Sequence, residues 1–264
     1  MITVPEFRKR KLAGQKVSMI TCYDASFARI VNESPIDLIL IGDSSAMVMH
    51  GHDSTIHADE MMIETHVAAV SRTAKNKMII ADMPFLSNRM GIAHATAIAG
   101  RFLRAGAHAV KIEGIRGNEE LVRHLVGTGI PVMGHLGLTP QFVNQFGGMK
   151  VQATSAEAQD LLMKDSKAFE DAGAFSLVLE CVPNSIAKTV SELLSISTIG
   201  IGAGPHTDGQ VLVLQDLLGF NPGFKPKFLR QYLGGYELFK GAFEQFHLDV
   251  TQGTFPNEKE SYPG

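Results

Sequence analysis

Several things are scarce in this chain. It has no apolar run long enough to span a membrane. Its longest hydrophobic stretches, such as residues 36–41, are interrupted within a few positions, far short of the roughly 18 residues that cross a bilayer. It has no basic surplus: 24 Lys and Arg stand against 27 Asp and Glu, a net charge of −3, so nothing favours nucleic acid or an anionic membrane surface as a partner. It has only two cysteines, Cys22 and Cys181, too few for a disulfide framework. Arg8, Lys9, Arg10 and Lys11 are followed only by scattered apolar residues, without the apolar core of a secretory signal. A cytoplasmic, thiol-reducing location is therefore expected. No glycine-rich loop ends in Gly-Lys-Ser/Thr, which excludes a P-loop. The run Gly200-Ile201-Gly202-Ala203-Gly204 lacks the third-glycine spacing and the downstream acidic residue of a dinucleotide site. It reads as a tight turn that brings backbone close to a site. There is no linker, low-complexity tract or short repeat.

What is present is material for a core. Of 264 residues, 45% are hydrophobic and 19% charged, which fits a folded chain and excludes disorder as its main state. Short apolar, β-branched runs at 17–22, 38–43, 78–82, 109–113, 131–135, 176–180, 198–202 and 211–216 have the near-continuous hydrophobicity of parallel strands buried on both faces. Helical patterns alternate with them at 25–33, 59–73, 92–105, 118–127, 155–172 and 185–195, and a last one runs from 227 to about 247. Ser155 is placed as an N-cap, and Gly106 and Gly173 as helix stops. Eight strands with alternating helices predict an α/β fold, a (β/α)8 barrel forming a single domain over 1–264. An open doubly wound sheet is the rival. Two places weaken the barrel count: 203–210 is short for a crossover helix, and 211–216 could equally be a turn of helix.

The chemistry sits at the strand ends. Asp43, Asp82, Glu113 and Glu180 close four of the runs, and His135 closes a fifth. Carboxylates gathered on one rim repel unless a cation lies among them, and hard oxygen donors from separate strands suit Mg²⁺ or another divalent ion. Any single Asp could instead be an ordinary cap or turn residue. Lys111 and Glu113, two apart on one strand, point to the same face. They fit either an anion site or an internal salt bridge. Glu180 lies among Leu179, Cys181 and Val182; poor solvation would raise its pKa towards that of a general base, while a metal ligand or loop anchor is the alternative. His135 could donate to substrate, orient Glu180 or serve structure alone. Two long segments after strands, 44–58 and 136–154, carry His50, His52, Thr55, Phe146, Gly147, Gly148 and Lys150. In a barrel both would rise from the rim that carries the active site.

Taken in order, these segments have a family likeness. Thr21-Cys22-Tyr23-Asp24, Gly42-Asp43-Ser44 and Met49-His50-Gly51-His52-Asp53-Ser54-Thr55 are followed by Ala81-Asp82-Met83-Pro84-Phe85 and Val110-Lys111-Ile112-Glu113-Gly114. Then come Gly134-His135-Leu136-Gly137-Leu138-Thr139-Pro140-Gln141, Leu179-Glu180-Cys181-Val182-Pro183 and the 200–204 glycine run. The series resembles the ketopantoate hydroxymethyltransferase family along nearly the whole chain. The resemblance implies a (β/α)8 barrel of the phosphoenolpyruvate/pyruvate type. It implies transfer of a hydroxymethyl group from 5,10-methylenetetrahydrofolate to 3-methyl-2-oxobutanoate, giving 2-dehydropantoate for pantothenate synthesis through a metal-stabilised enolate. It implies Asp43, Asp82 and Glu113 at a Mg²⁺ site, Ser44 and Lys111 with Asp43 and Asp82 on the oxo acid, and Glu180 as proton acceptor. It also implies a homo-oligomer, commonly a decamer. The chain departs from the family pattern at Ser45 and Ala46, where an apolar residue and then glycine are usual. Lyases and mutases of the same barrel type share the metal-enolate chemistry, so the acidic cluster alone does not separate them from a transferase.

Overall fold

The computed structural model describes residues 1–263, which divide into two compact units, 1–213 and 214–263. The first unit opens with α1 (Val4–Leu12) and then alternates strands and helices: β1 (Val17–Thr21), α2 (Ala25–Glu33), β2 (Leu38–Ile41), α3 (Ser45–Val48), α4 (Glu60–Ser71), β3 (Met78–Asp82), α5 (Ile92–Ala105), β4 (Ala109–Glu113) and α6 (Glu119–Gly127). It continues through β5 (Val132–Gly137), α7 (Val143–Phe146), α8 (Ala156–Asp171), β6 (Ser176–Glu180), α9 (Asn184–Leu193), β7 (Ser197–Ile201) and β8 (Gly209–Leu212). All eight strands pair in parallel in chain order, and β8 closes on β1. The closed ring rejects the open-sheet alternative.

The period-two alternation of a strand decides which residues fill this ring. Met19, Leu38, Leu40, Met78, Ile80, Ala109, Met133, Val178, Ile199 and Val211 form one buried cluster. The same parity carries the interior face onward to Gly42, Asp82, Lys111, Glu113, His135 and Glu180. The polar residues at the strand ends thus continue the core-facing rows, and their convergence follows from the apolar pattern beneath them.

The ends of the helices follow local chemistry. Asp24, Asp59 and Ser155 accept from backbone N–H groups in the first turns of α2, α4 and α8. Gly106 and Gly173 follow α5 and α8 with φ of 116° and 96°, the left-handed stop expected of them. Helix α1 was not anticipated. Its signal is Thr3-Val4-Pro5-Glu6, a capping box with proline in the first turn, in which the Glu6 carboxylate accepts from the Thr3 backbone N–H at 2.6 Å. Phe7 of α1 is buried edge-on against Phe175, with ring centroids 5.0 Å apart. Full burial of such a ring contributes about 1.5–3 kcal/mol.

Two boundaries differ from expectation. Strand β8 lies at 209–212, not 211–216, and residues 214–217 form the short helix α10 (Leu214–Leu217) that opens the second unit. The segment between β7 and β8 holds no helix, as its length dictates. The last helix, α11 (Gly235–Thr251), begins eight residues later than expected, after a stretch containing Pro226 and Gly234. Among the described residues no helix is long and apolar enough to cross a membrane.

Candidate active site

The strand-end residues meet in strand order. Beyond β2, the Asp43 backbone N–H donates to Asp82 Oδ2 at 2.9 Å. Asp82 closes β3 and stands opposite Lys111 in the β3–β4 ladder, with Lys111 Nζ 2.9 Å from its Oδ1. The same ammonium is 3.6 Å from Glu113 Oε1. Glu113 is paired in register with His135 of β5, whose Nδ1 lies 3.1 Å from Glu113 Oε1. The far ring nitrogen, Nε2, lies 3.3 Å from Glu180 Oε2. A continuous row, Asp43–Asp82–Lys111–Glu113–His135–Glu180, therefore crosses the barrel end. All are buried except Glu180, whose side chain is 19% exposed. Glu180 thus faces an imidazole at a partly open rim, not the closed apolar surround its sequence neighbours suggested.

Charge explains the titration of the row. Burial first, then the Glu113 and Asp82 charges, hold the Asp43 carboxyl well above the usual carboxylate range. For Asp82 burial outweighs the pull of Lys111, and its pKa is also raised. Glu113 goes the other way: His135 and Lys111 overcome the burial penalty and lower it. His135 Nδ1 is 3.2 Å from Lys111 Nζ as well as 3.1 Å from Glu113, and it cannot accept from one while donating to the other. Burial and Lys111 disfavour a charged ring, but carboxylates at both nitrogens prevail and raise His135 to about 9. The ring is then an imidazolium donating to Glu113 and facing Glu180.

A second small network adjoins the row. Tyr23 Oη and Ser44 Oγ are 2.8 Å apart. Gly42 makes room for them: a Cβ there would lie 2.7 Å from Ser44 Oγ and 3.5 Å from both Asp82 Oδ2 and Tyr23 Oη. Gly137 does the same beside Glu180, since a Cβ there would be 2.2 Å from the Glu180 carbonyl oxygen. The turn after Glu180 is held by Cys181 in a left-handed conformation, φ 47°, with its N–H donating to the Ile201 carbonyl and its own carbonyl accepting from Gln152. Cys22 is a fully buried small side chain, whereas Cys181 is half-buried.

The donor set has the chemistry of a hard-cation site. Three buried carboxylates face one lysine and one histidine; burial raises Asp43 and Asp82, and for Asp43 the next cause is the uncompensated negative charge of Glu113 and Asp82. A divalent ion would offset it. Among the described residues, however, no three Asp, Glu, His or Cys side chains are arranged to enclose an ion as they stand. Both Glu113 oxygens already have partners, Oε1 with His135 and Oε2 with the Gln141 backbone N–H at 3.2 Å. Asp82 is in the same position, with Oδ2 on the Asp43 N–H and Oδ1 on Lys111, so an ion would share or replace one of these contacts; Mg²⁺ needs few protein carboxylates because it keeps positions for water and substrate.

The family model described as ketopantoate hydroxymethyltransferase matches residues 1–258. This chain belongs to that family. A relative from Bdellovibrio bacteriovorus named 3-methyl-2-oxobutanoate hydroxymethyltransferase is 55% identical over 262 residues, covering 99% of this chain and 100% of the relative. One of the same name from Coxiella burnetii is 48% identical over 257 residues, covering 97% of each. Among solved structures, a phosphonopyruvate hydrolase in complex with oxalate and Mg²⁺ superposes with a TM-score of 0.64 at 12% identity, covering 98% of this chain and 93% of that one. A 2,3-dimethylmalate lyase, a PEP mutase/isocitrate lyase superfamily member, does so at 0.61 and 16%, covering 100% and 93%. At such identities these two bear on the fold alone, a closed (β/α)8 barrel.

In this member of the ketopantoate hydroxymethyltransferase family, Ser45 and Ala46 lie fully buried in α3. The loop histidines do not join the row. His50 Nε2 faces His66 Nε2 at 3.1 Å, and His52 stacks on His57 with centroids 4.6 Å apart. Asp43 Oδ2 accepts from the loop residue Gln141, whose Nε2 is 2.9 Å away, so loop hydrogen bonding is a role that Asp43 plays beside any other. Tyr23 and Gln141 are the contributors that the sequence did not single out. Two cavities, of about 460 and 390 Å³, border the long loops without being lined by any charged member of the row.

Proposed function

We propose that this chain transfers a hydroxymethyl group from 5,10-methylenetetrahydrofolate to 3-methyl-2-oxobutanoate, giving 2-dehydropantoate for pantothenate and coenzyme A biosynthesis. The observation that carries the reading is the unbroken acidic–basic row from Asp43 to Glu180, in a chain whose relatives bear this enzyme's name. Asp43 and Asp82 would hold a Mg²⁺ ion or a similar divalent cation, with Glu113 completing the acidic set from the far side of Lys111. When bound, such an ion supplies Lewis-acid polarisation of the 2-oxo acid.

The other steps belong to the chain's own residues. The Lys111 ammonium and the Ser44 hydroxyl, held by Tyr23, receive the substrate carboxylate. Glu180 takes the proton from C3. The His135 imidazolium orients Glu180 and is itself fixed by Glu113. The enolate carbon then bonds to the one-carbon unit of the folate, which docks over the rim beneath loops 44–58 and 136–154; both C–N bonds of that unit break, one water supplies the hydroxyl, and tetrahydrofolate leaves with its two nitrogens protonated by the C3 proton and the remaining water proton. The location in this reading is cytoplasmic, and the two thiols are free. The assembly is a homo-oligomer, a decamer by the family pattern. Exposed aromatic side chains on α11, among them Phe239, Phe243 and Phe246, support self-association as the state that covers them.

Proton NMR of 3-methyl-2-oxobutanoate in D₂O tests cation, base and substrate together, without folate. The C3–H signal is expected to vanish with the protein and Mg²⁺, and to persist with chelator. Glu180→Gln should slow the exchange by about 10²–10⁴-fold, the usual worth of a positioned base. Normal exchange by a folded Glu180→Gln variant would remove Glu180 from that role. Dependence of product formation on tetrahydrofolate separates this transferase from a lyase or mutase on the same fold.

A further inference from the structure

Gln141 is buried at 7% exposure, in the 3₁₀ turn Pro140–Phe142 that opens the long loop after β5. Its side chain and backbone grip three neighbouring strand ends. Nε2 donates to Asp43 Oδ2 at 2.9 Å and to the Met83 carbonyl at 3.0 Å. Its backbone N–H donates to Glu113 Oε2 at 3.2 Å. Met83 follows Asp82 directly, and its own N–H donates to the Lys111 carbonyl. One residue thus ties together the exits of β2, β3 and β4, from a loop 98 positions beyond Asp43.

The residue type matters. Carboxylate and carbonyl oxygens only accept, so the amide nitrogen, with its two N–H bonds, must face them. A glutamate would have nothing to donate and would add a fourth negative charge. A lysine would compete as a cation for the place that the acidic set leaves to a divalent ion. A neutral double donor fixes Asp43 without neutralising it.

We propose that Gln141 is a positioning residue for the divalent-cation site: it sets the orientation of Asp43 and Glu113, and it makes the ordering of loop 138–154 a condition of cation affinity. The proposal rests on the reading above that Asp43 and Asp82 hold the ion. Outer partners of ligating groups typically govern 10–100-fold in metal affinity, which sets the scale expected here.

The test uses the full chain with Mn²⁺ as probe, free Mn²⁺ being followed by electron paramagnetic resonance and the thermal midpoint measured in parallel. Gln141→Met keeps length and volume and leaves the backbone bond to Glu113 in place. It should weaken Mn²⁺ binding about 10–100-fold. It should also slow C3–H exchange of 3-methyl-2-oxobutanoate at low metal while restoring it at saturating metal. A loop anchor with no link to the cation would lower the midpoint and leave the Mn²⁺ affinity alone. In an Asp43→Asn background the same change should add little, because the residue it acts through is already altered. Gln145→Met, exposed on the same loop, should change neither readout. If Gln141→Met does not fold, Gln141→Asn, which keeps the amide but not its reach, takes its place. Wild-type Mn²⁺ affinity in either folded variant overturns the proposal. A wild-type protein that binds no Mn²⁺ overturns the functional reading, and this proposal with it.

Discussion

Asp82 and Lys111 face each other across the β3–β4 ladder, and their charged ends meet 2.9 Å apart inside the barrel. Neither side chain is more than 4% exposed, so water does little to screen the pair. Removing one partner of a buried ion pair strands the other, at a cost of about 3–5 kcal/mol. Lys111→Met should therefore lower the unfolding free energy by roughly that amount, and the Lys111→Met/Asp82→Asn double variant should recover part of it. Urea denaturation of the three proteins measures both effects. A Lys111→Met variant with the wild-type midpoint and slope would mean that the pair does not hold the barrel end together.

Gly42 offers a way to disturb the substrate residues without disturbing the barrel. Its backbone is in an ordinary conformation, so alanine adds no φ strain there. The new Cβ would sit 2.7 Å from Ser44 Oγ, and the Ser44 side chain can rotate away from it. That rotation breaks the contact with Tyr23 and, in the proposed function, withdraws a hydroxyl from the oxo acid. The expected result for Gly42→Ala is a fold kept within the roughly 1–3 kcal/mol of an overpacked site. Its KM for the oxo acid should rise about tenfold or more, the worth of one hydrogen bond to a charged group. Steady-state kinetics beside a thermal melt separates the two, and an unchanged KM would take Ser44 out of the substrate contacts.

Much of this architecture was legible because one periodicity serves both core and site. The alternation that places Ala109 in the interior also places Lys111 and Glu113 there, and the same holds from Met78 and Ile80 to Asp82. Charged residues at the ends of apolar strands stand out against their surroundings. Tyr23 and Gln141 did not, because a neutral donor in a loop carries no charge pattern, and its partners lie 21 and 98 positions away. The partners of His50 and His52 lie outside the strand pattern altogether: these two loop histidines pair with His66 and His57. The end of the barrel was blurred because Val211-Leu212-Val213-Leu214 is apolar throughout, and strand and helix share it.

Ser45 sits where its hydroxyl is a liability. The side chain is fully buried in α3, and its Oγ has no hydrogen-bond partner among the described residues. An unsatisfied buried hydroxyl costs about 1–3 kcal/mol, whereas alanine at this position leaves only a small void. Ser45→Ala should thus raise the unfolding free energy by about 1 kcal/mol. It should leave C3–H exchange intact, since the hydroxyl makes no bond to the row. Chemical denaturation reads the first and NMR the second; a destabilised Ser45→Ala protein would show that the hydroxyl is satisfied in solution.

Asp216, on α10, predicts a pH effect in the C-terminal unit. Burial alone raises its carboxyl from 3.8 to about 6. Between those values the folded chain keeps a proton that the unfolded chain has released, so stability falls as pH rises through this window. Below it the group is neutral in both states and contributes nothing; above it the penalty for holding a half-buried charge is complete and constant. Asp216→Asn removes the titration while keeping the shape. The difference in thermal midpoint between variant and wild type should be small at pH 4, widen in the variant's favour up to about pH 6.5, and then level off. Every other titrating group is common to the two proteins and cancels in that difference. A gap of the same size at pH 4 and pH 7 would show that Asp216 is solvated like an ordinary surface carboxylate.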